Sequence, residues 1–169
     1  WGHHEVVQAL IDAGADINIA NKYGISPLFI AVEEGDLIIV QALIESGADK
    51  NKAEGNGRTP LYIAAEEGHL EMVKILIEAG AAINQANVDG DTPLYIAAQK
   101  GHLDIIQALI AAGADINQAD NDGATPLCKA AVKSHLEIVD ALIATGADIN
   151  QAMNDGCTPL FIAAECGHL

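Results

Sequence analysis

Four histidines, His69, His102, His135 and His168, recur every 33 residues, and the neutral imidazole is a common zinc ligand. Zinc chemistry would require several rings to converge on one ion, each nitrogen about 2 Å from it. Side chains one packed helical layer apart stand roughly 10 Å from each other. The ladder therefore reads as a set of structural turn residues, His3 joins its phase, and the adjacent His4 completes no ligand motif. No metal site is expected.

The doublets Glu33-Glu34 and Glu66-Glu67 raise acid/base catalysis as a second chemistry. Neighbours in sequence diverge around a helix, so neither doublet aims two carboxylates at one point, and both read as a solvated face. Cys128, Cys157 and Cys166 are odd in number and irregular in spacing, with no Cys-x-x-Cys or Cys/His pattern around them. They are expected to be small buried hydrophobes in a reduced intracellular, cytoplasmic setting. No nucleophile elbow, phosphate loop or dinucleotide fingerprint is present, so neither a catalytic residue nor a cofactor is expected.

The elements that carry these residues follow from an internal repeat. Ser26-Pro27-Leu28, Thr59-Pro60-Leu61, Thr92-Pro93-Leu94, Thr125-Pro126-Leu127 and Thr158-Pro159-Leu160 succeed one another at 33 residues and use all five prolines of the chain. Gly35, Gly68 and Gly101 hold a second phase, in which Ser134 stands once for glycine. Gly14, Gly47, Gly80, Gly113 and Gly146 hold a third, and Gly24, Gly57, Gly90, Gly123 and Gly156 a fourth. The spacing predicts a partial repeat over 1–21, complete repeats over 22–54, 55–87, 88–120 and 121–153, and a partial repeat over 154–169, forming a single array.

Within the repeat 88–120 each mark has a physical task. Thr92 caps the first amides of a helix A, and Pro93, which has no N–H to lose, fits its first turn. Leu94, Ala97 and Ala98 supply an apolar stripe, and Gly101 ends the helix in the left-handed conformation. Leu103, Ile106, Leu109 and Ile110 then fall at helical spacing for a helix B that Gly113 closes. The polar run that follows ends at Asp122-Gly123, a dipeptide suited to a tight turn, and makes a projecting finger. Helices of about eight to ten residues do not persist alone in water, so stacking on neighbours is obligatory. The expected class is all-α, a solenoid of stacked helical pairs with β-hairpin-like fingers.

Thr-Pro-Leu opening helix A, a Gly-His-Leu turn, a Leu-Ile-x-x-Gly-Ala-Asp close, an Asn and an Asp-Gly finger together resemble the ankyrin repeat over the whole chain. That resemblance implies a non-catalytic scaffold that binds a protein or peptide through its finger tips and the concave face of helix A. Many ankyrin repeats place His directly after Thr-Pro-Leu, where it ties one finger to the next. Here Phe29, Tyr62, Tyr95, Cys128 and Phe161 stand instead, which predicts a packing role, with the two tyrosine hydroxyls free to donate. Lys129 breaks the series Ile30, Ile63, Ile96 and Ile162, and is expected at a solvated edge with only its stem packed.

The charge narrows the partners. Twenty-four acidic against eight basic residues leave a net charge of −16, which repels phosphate backbones and anionic membranes. Glu33, Glu34, Glu66 and Glu67 share helix-A positions, whereas Gln99, Lys100, Val132 and Lys133 occupy them later, so a cationic partner is expected towards the N-terminal half. Lys22, Tyr23, Ile25, Asn56, Arg58, Asp89 and Asp91 on the fingers would supply specificity. Lys100, Lys129 and Lys133 form a candidate basic island, read first as ordinary surface variation.

Two alternatives stay open: a targeting or regulatory segment of a larger enzyme or effector, and a modification substrate. Asn18, Asn51, Asn84, Asn117 and Asn150 stand at the loop phase that resembles ankyrin substrates of asparaginyl hydroxylases, although ordering of the loop explains them as well. The chain runs five periods and four residues, which predicts a helix B without its helix A at one end and a helix A without its helix B at the other. Leu160, Ile162, Ala163 and Ala164 would then dock beside Val6, Val7, Leu10 and Ile11 of a second copy, head to tail. No apolar run reaches the roughly 18 residues of a membrane span, and the N-terminus lacks the marks of a signal peptide, although the absent start Met leaves processing open.

Overall fold

Hydroxyl caps set where the shorter helices begin. In the computed structural model, which describes residues 3–167, Ser26 Oγ accepts from the Phe29 amide at 3.1 Å, and Thr59, Thr92, Thr125 and Thr158 do the same for Tyr62, Tyr95, Cys128 and Phe161. Proline follows each cap at the first helical position, giving α2 (Pro27–Glu33), α4 (Pro60–Glu67), α6 (Pro93–Lys100), α8 (Pro126–Val132) and α10 (Pro159–Glu165). Between them lie the B helices: α1 (His3–Asp12), α3 (Leu37–Glu45), α5 (Leu70–Glu78), α7 (Leu103–Ala111) and α9 (Leu136–Ala144). The described residues contain no strand.

The A-to-B turn needs a left-handed residue. Gly101 takes it at φ 90°, and Ser134, in the same phase, takes it at φ 57°, alone among the described non-glycine residues. The histidine that follows does not cap helix B with its side chain at His69, His102 or His135, whereas Asp36 in that phase accepts from the Ile39 amide. The rings serve packing instead. His69 lies against Gly35 and His135 against Gly101, where an added Cβ would stand 3.0 Å from the ring. His135 Nε2 lies 3.3 Å from the Gln99 carbonyl oxygen and donates to it in the Nε2–H tautomer. His168 lies outside the described residues.

The chain divides into two compact units between Ala82 and Ile83. In the first, α2 packs on α3 and α4, α4 on α5, and the B helices stack as α1 on α3 and α3 on α5. Leu28, Phe29, Val32, Leu61, Ile63, Val73 and Leu76 are its buried core. In the second, α6 packs on α7 and α8, α8 on α9 and α10, and α7 on α9. Leu94, Tyr95, Ile106, Leu109, Leu127, Cys128 and Leu142 fill it. The residues after Thr-Pro-Leu are core at Phe29, Tyr62, Tyr95 and Cys128, while Phe161 is exposed.

Among the cysteines only Cys128 is buried; Cys157 is half-buried and Cys166 exposed, so the expectation of three buried thiols is corrected. The fingers, lacking ladders, are held by short turns. In each, one backbone pair closes the loop, as where the Asp120 amide donates to the Ala124 carbonyl at 2.9 Å.

Candidate partner-binding surface

A side chain inside each finger fixes its backbone. Asn21 Oδ1 accepts from the Tyr23 and Ile25 amides, Asn87 Oδ1 from Asp89 and Asp91, and Asp120 Oδ1 from Asp122 and Ala124, all between 2.8 and 3.1 Å. Glu54 fills the same phase with a longer carboxylate. Its Oε1 accepts from the Asn56 amide at 3.0 Å and from Arg58 Nε at 3.1 Å. These turns put Lys22, Tyr23, Asn56 and Asp89 at exposed positions and leave Ile25, Arg58 and Asp91 half-buried.

Successive fingers within a unit are linked by backbone bonds. The Gly55 amide donates to Tyr23 in the first unit; Asn121 and Asn154 donate to Asp89 and Asp122 in the second, each at 2.9 Å. The loop asparagines add a second set of links. Asn18 Oδ1 accepts from the Asp49 amide and Asn51 from Ala82; Asn84 accepts from Asp115 and Asn117 from Asp148, at 2.8 to 2.9 Å. Each spans 31 residues and joins one loop to the next, a role that reading each loop alone does not reveal.

On the helix-A face of the first unit the two glutamate doublets split. Glu34 and Glu67 are exposed, Glu33 and Glu66 half-buried. Glu66 lies 3.5 Å from Arg58 Nη1, and Arg58 also stands 6.0 Å from the Phe29 ring centroid. Burial pulls the Arg58 pKa down, but the bond and charge of Glu54, then Glu66, carry it above the ordinary value. Arg58 is thus held on both sides by carboxylates, and Glu54 is a member of this group that the sequence reading missed. Lys22 sits over its neighbour Tyr23, 4.8 Å from the ring centroid.

In the second unit the polar side chains gather differently. Tyr95 donates its hydroxyl to Asp120 Oδ2 at 2.5 Å. Lys129 is half-buried, with its ammonium 5.3 Å from the centroid of the Tyr95 ring. Burial pushes the Asp91 carboxyl above its ordinary value, and the charges of Asp120 and Asp89 add to this; Lys129 and a bond with Asn87 oppose it. Lys100 and Lys133 are exposed at the ends of α6 and α8, and Gln99 is half-buried beside His135.

Among the described residues no three His, Cys, Asp or Glu side chains group as a metal site would require. The Cys157 thiol is hydrogen-bonded to Asp155, which raises its pKa and favours the protonated form. Among these residues, too, no helix is long and apolar enough to cross a membrane.

The family model described as ankyrin repeats (3 copies) matches residues 1–54, 39–120 and 113–169, which together take in the whole chain. The chain belongs to the ankyrin-repeat family. No curated protein matches it. Ankyrin repeats are generally protein–protein interaction modules and typically non-catalytic.

Proposed function

We propose that this ankyrin-repeat protein is a non-catalytic scaffold that binds a protein or peptide with a cationic surface. The supporting observation is the rigid display of the finger tips: Tyr23, Asn56 and Asp89 are exposed on turns fixed by Asn21, Glu54 and Asn87, so little conformational entropy is lost when they engage a partner. The acidic helix-A residues Glu33, Glu34, Glu66 and Glu67 add to a net charge of −16, which draws cationic partners by long-range attraction. Glu34 and Glu67 are the direct electrostatic contacts in this reading, because both are exposed. Glu66 acts through Arg58. Lys22, Ile25 and Arg58 on the first unit, and Asp91, Gln99, Lys100, Lys129 and Lys133 on the second, are the further proposed contact residues of each. An intracellular, cytoplasmic setting belongs to the same reading and is supported by the three free thiols.

The test is a panel of immobilised peptides of graded charge, followed by reversal of Glu33, Glu34, Glu66 and Glu67 to Lys. Retention of Lys/Arg-rich peptides that weakens with salt and is lost in the reversed protein is the expected result. Equal retention of acidic and basic peptides, or no change on reversal, overturns the electrostatic assignment.

A further inference from the structure

Most of the chain's sulfur gathers at one place in the second unit. The sequence holds three cysteines and two methionines. Cys128 is buried in a cluster with Tyr95, Ala124 and Ile162, and Met153 and Cys157 pack against that cluster. Ile162, expected from the sequence to face a second copy, is core instead. The remaining two sulfurs lie apart from it: Met72 is buried in the first unit, and Cys166 is exposed.

The repeat explains why these three side chains meet. Tyr95, one period before Cys128, donates its hydroxyl to Asp120 and shares the cluster with Ala124. Asp120 and Ala124 in turn stand one period before Met153 and Cys157. Cys128 is therefore placed towards Met153 as Tyr95 is towards Asp120, and towards Cys157 as Tyr95 is towards Ala124. Arg58 beside the Phe29 ring repeats the second relation in the first unit. The finger closes the third side, because the Met153 amide donates to the Cys157 carbonyl at 2.9 Å and sets the two residues opposite each other at its base. Cys128 is also among the charges that act on the Cys157 thiol, after its hydrogen bond to Asp155, so the two thiols lie within electrostatic reach.

Packing alone does not call for these residue types. Met153 stands where Asn21, Glu54, Asn87 and Asp120 each give an oxygen to the turn amides of their own finger, and a thioether accepts such bonds only weakly. Asp155 takes over part of that task by accepting from the Cys157 amide at 2.9 Å. Two thiols and a thioether are the donor set that selects a soft cation, Cu(I) foremost. Zn(II) takes four nitrogen, sulfur or oxygen donors, and among the described residues no third His, Cys, Asp or Glu joins the two thiols in a group that could hold a metal.

We propose that Cys128, Met153 and Cys157 form a three-sulfur site for Cu(I). Each thiol gives up its proton on binding, and two thiolates around one monovalent cation leave a single negative charge. The site goes beyond the partner-binding reading and does not depend on it.

Anaerobic titration of Cu(I), held by a coloured chelator, into the fully reduced 169-residue chain tests the site. One equivalent is expected to leave the chelator, and X-ray absorption at the copper edge to show sulfur neighbours only. Met153→Leu and Cys157→Ser, both at half-buried positions, are expected to weaken uptake by at least about tenfold with the helical circular dichroism retained, and Cys128→Ser to weaken it as much. If Cys128→Ser unfolds, the other two variants decide. Cys166→Ser leaves uptake unchanged, and Zn(II) offered from its own chelator is not taken up. No uptake by the wild type, full uptake by Met153→Leu or Cys157→Ser, loss of uptake in Cys166→Ser, or uptake of one equivalent of Zn(II) overturns the proposal.

Discussion

The Tyr95 hydroxyl donates to Asp120 Oδ2 at 2.5 Å, tying α6 to the finger that leads into α8. Tyrosine thereby supplies a polar tie at a position where many ankyrin repeats place histidine, while its ring is buried at 2% exposure. Phenylalanine stands in the same phase at Phe29, so the ring alone is compatible with the core. Tyr95→Phe is expected to cost about 1–2 kcal/mol, the range for a partly buried bond to a charged acceptor. Denaturant titration measures it, and a loss below about 0.3 kcal/mol would remove the tie from the stability of the fold.

The fold is legible because capping, helix length and apolar spacing all repeat in phase, so one repeat read correctly predicts the others. Phase also forecasts what residue type obscures. Cys128 stands where Phe29, Tyr62 and Tyr95 are buried, whereas Cys166 stands in the phase of exposed Glu34, Glu67, Lys100 and Lys133. Treating the three cysteines alike lost that information. The capture of Arg58 by Glu54 was readable in principle, since Glu54 shares the turn-fixing phase of Asn21, Asn87 and Asp120 and precedes Arg58 by four residues. The ammonium of Lys129 over Tyr95 was not, because a contact across 34 residues depends on how far successive layers are offset in space, which periodicity leaves open.

Ser134 carries a cost that its equivalents avoid. At φ 57° an L side chain meets its own backbone, and Gly101 adopts the corresponding conformation without a Cβ. Relief of about 1–2 kcal/mol is partly offset by the greater freedom of glycine in the unfolded chain, about 0.5–1 kcal/mol. Ser134→Gly is therefore expected to stabilise by up to about 1 kcal/mol in urea unfolding. In the opposite sense, Gly113→Ala should destabilise by up to about 1 kcal/mol, the same two terms reversed, with no added clash because a Cβ there meets no atom within 4 Å. Opposite signs are the expected result; equal signs contradict the argument from φ.

Asp91 makes stability depend on pH. Burial, then the charges of Asp120 and Asp89, raise its folded pKa above the ordinary 3.8. The folded state therefore binds the proton more tightly than the unfolded state, and this group's contribution to stability falls as pH rises from the ordinary value through the raised one. Asp91→Asn abolishes the charge and retains hydrogen-bonding capacity towards Asn87. Melting should rise at neutral pH by up to about 2 °C, a figure reduced for the partial exposure of the site, and should match the wild type below the ordinary aspartate value. Equal shifts at both pH values would show that packing, not charge, is responsible.

The loop asparagines give an internally controlled test of coupling between repeats. Asn117 Oδ1 accepts the Asp148 amide at 2.9 Å, so Asn117→Ala leaves that N–H without its protein acceptor and removes a link between two loops. Asp148 is exposed, and water replaces part of the bond, which sets the expected cost at about 0.5–1.5 kcal/mol. Asn150 has the same place in its repeat, but among the described residues no following loop donates to it, so Asn150→Ala should change stability by less than about 0.3 kcal/mol. Hydrogen exchange separates this link from a general loss of stability: the Asp148 amide should exchange faster in Asn117→Ala under conditions where the core amides of α7 remain protected. If Asn117→Ala and Asn150→Ala instead cost the same, the asparagine acts within its own loop and the link contributes nothing to coupling between repeats.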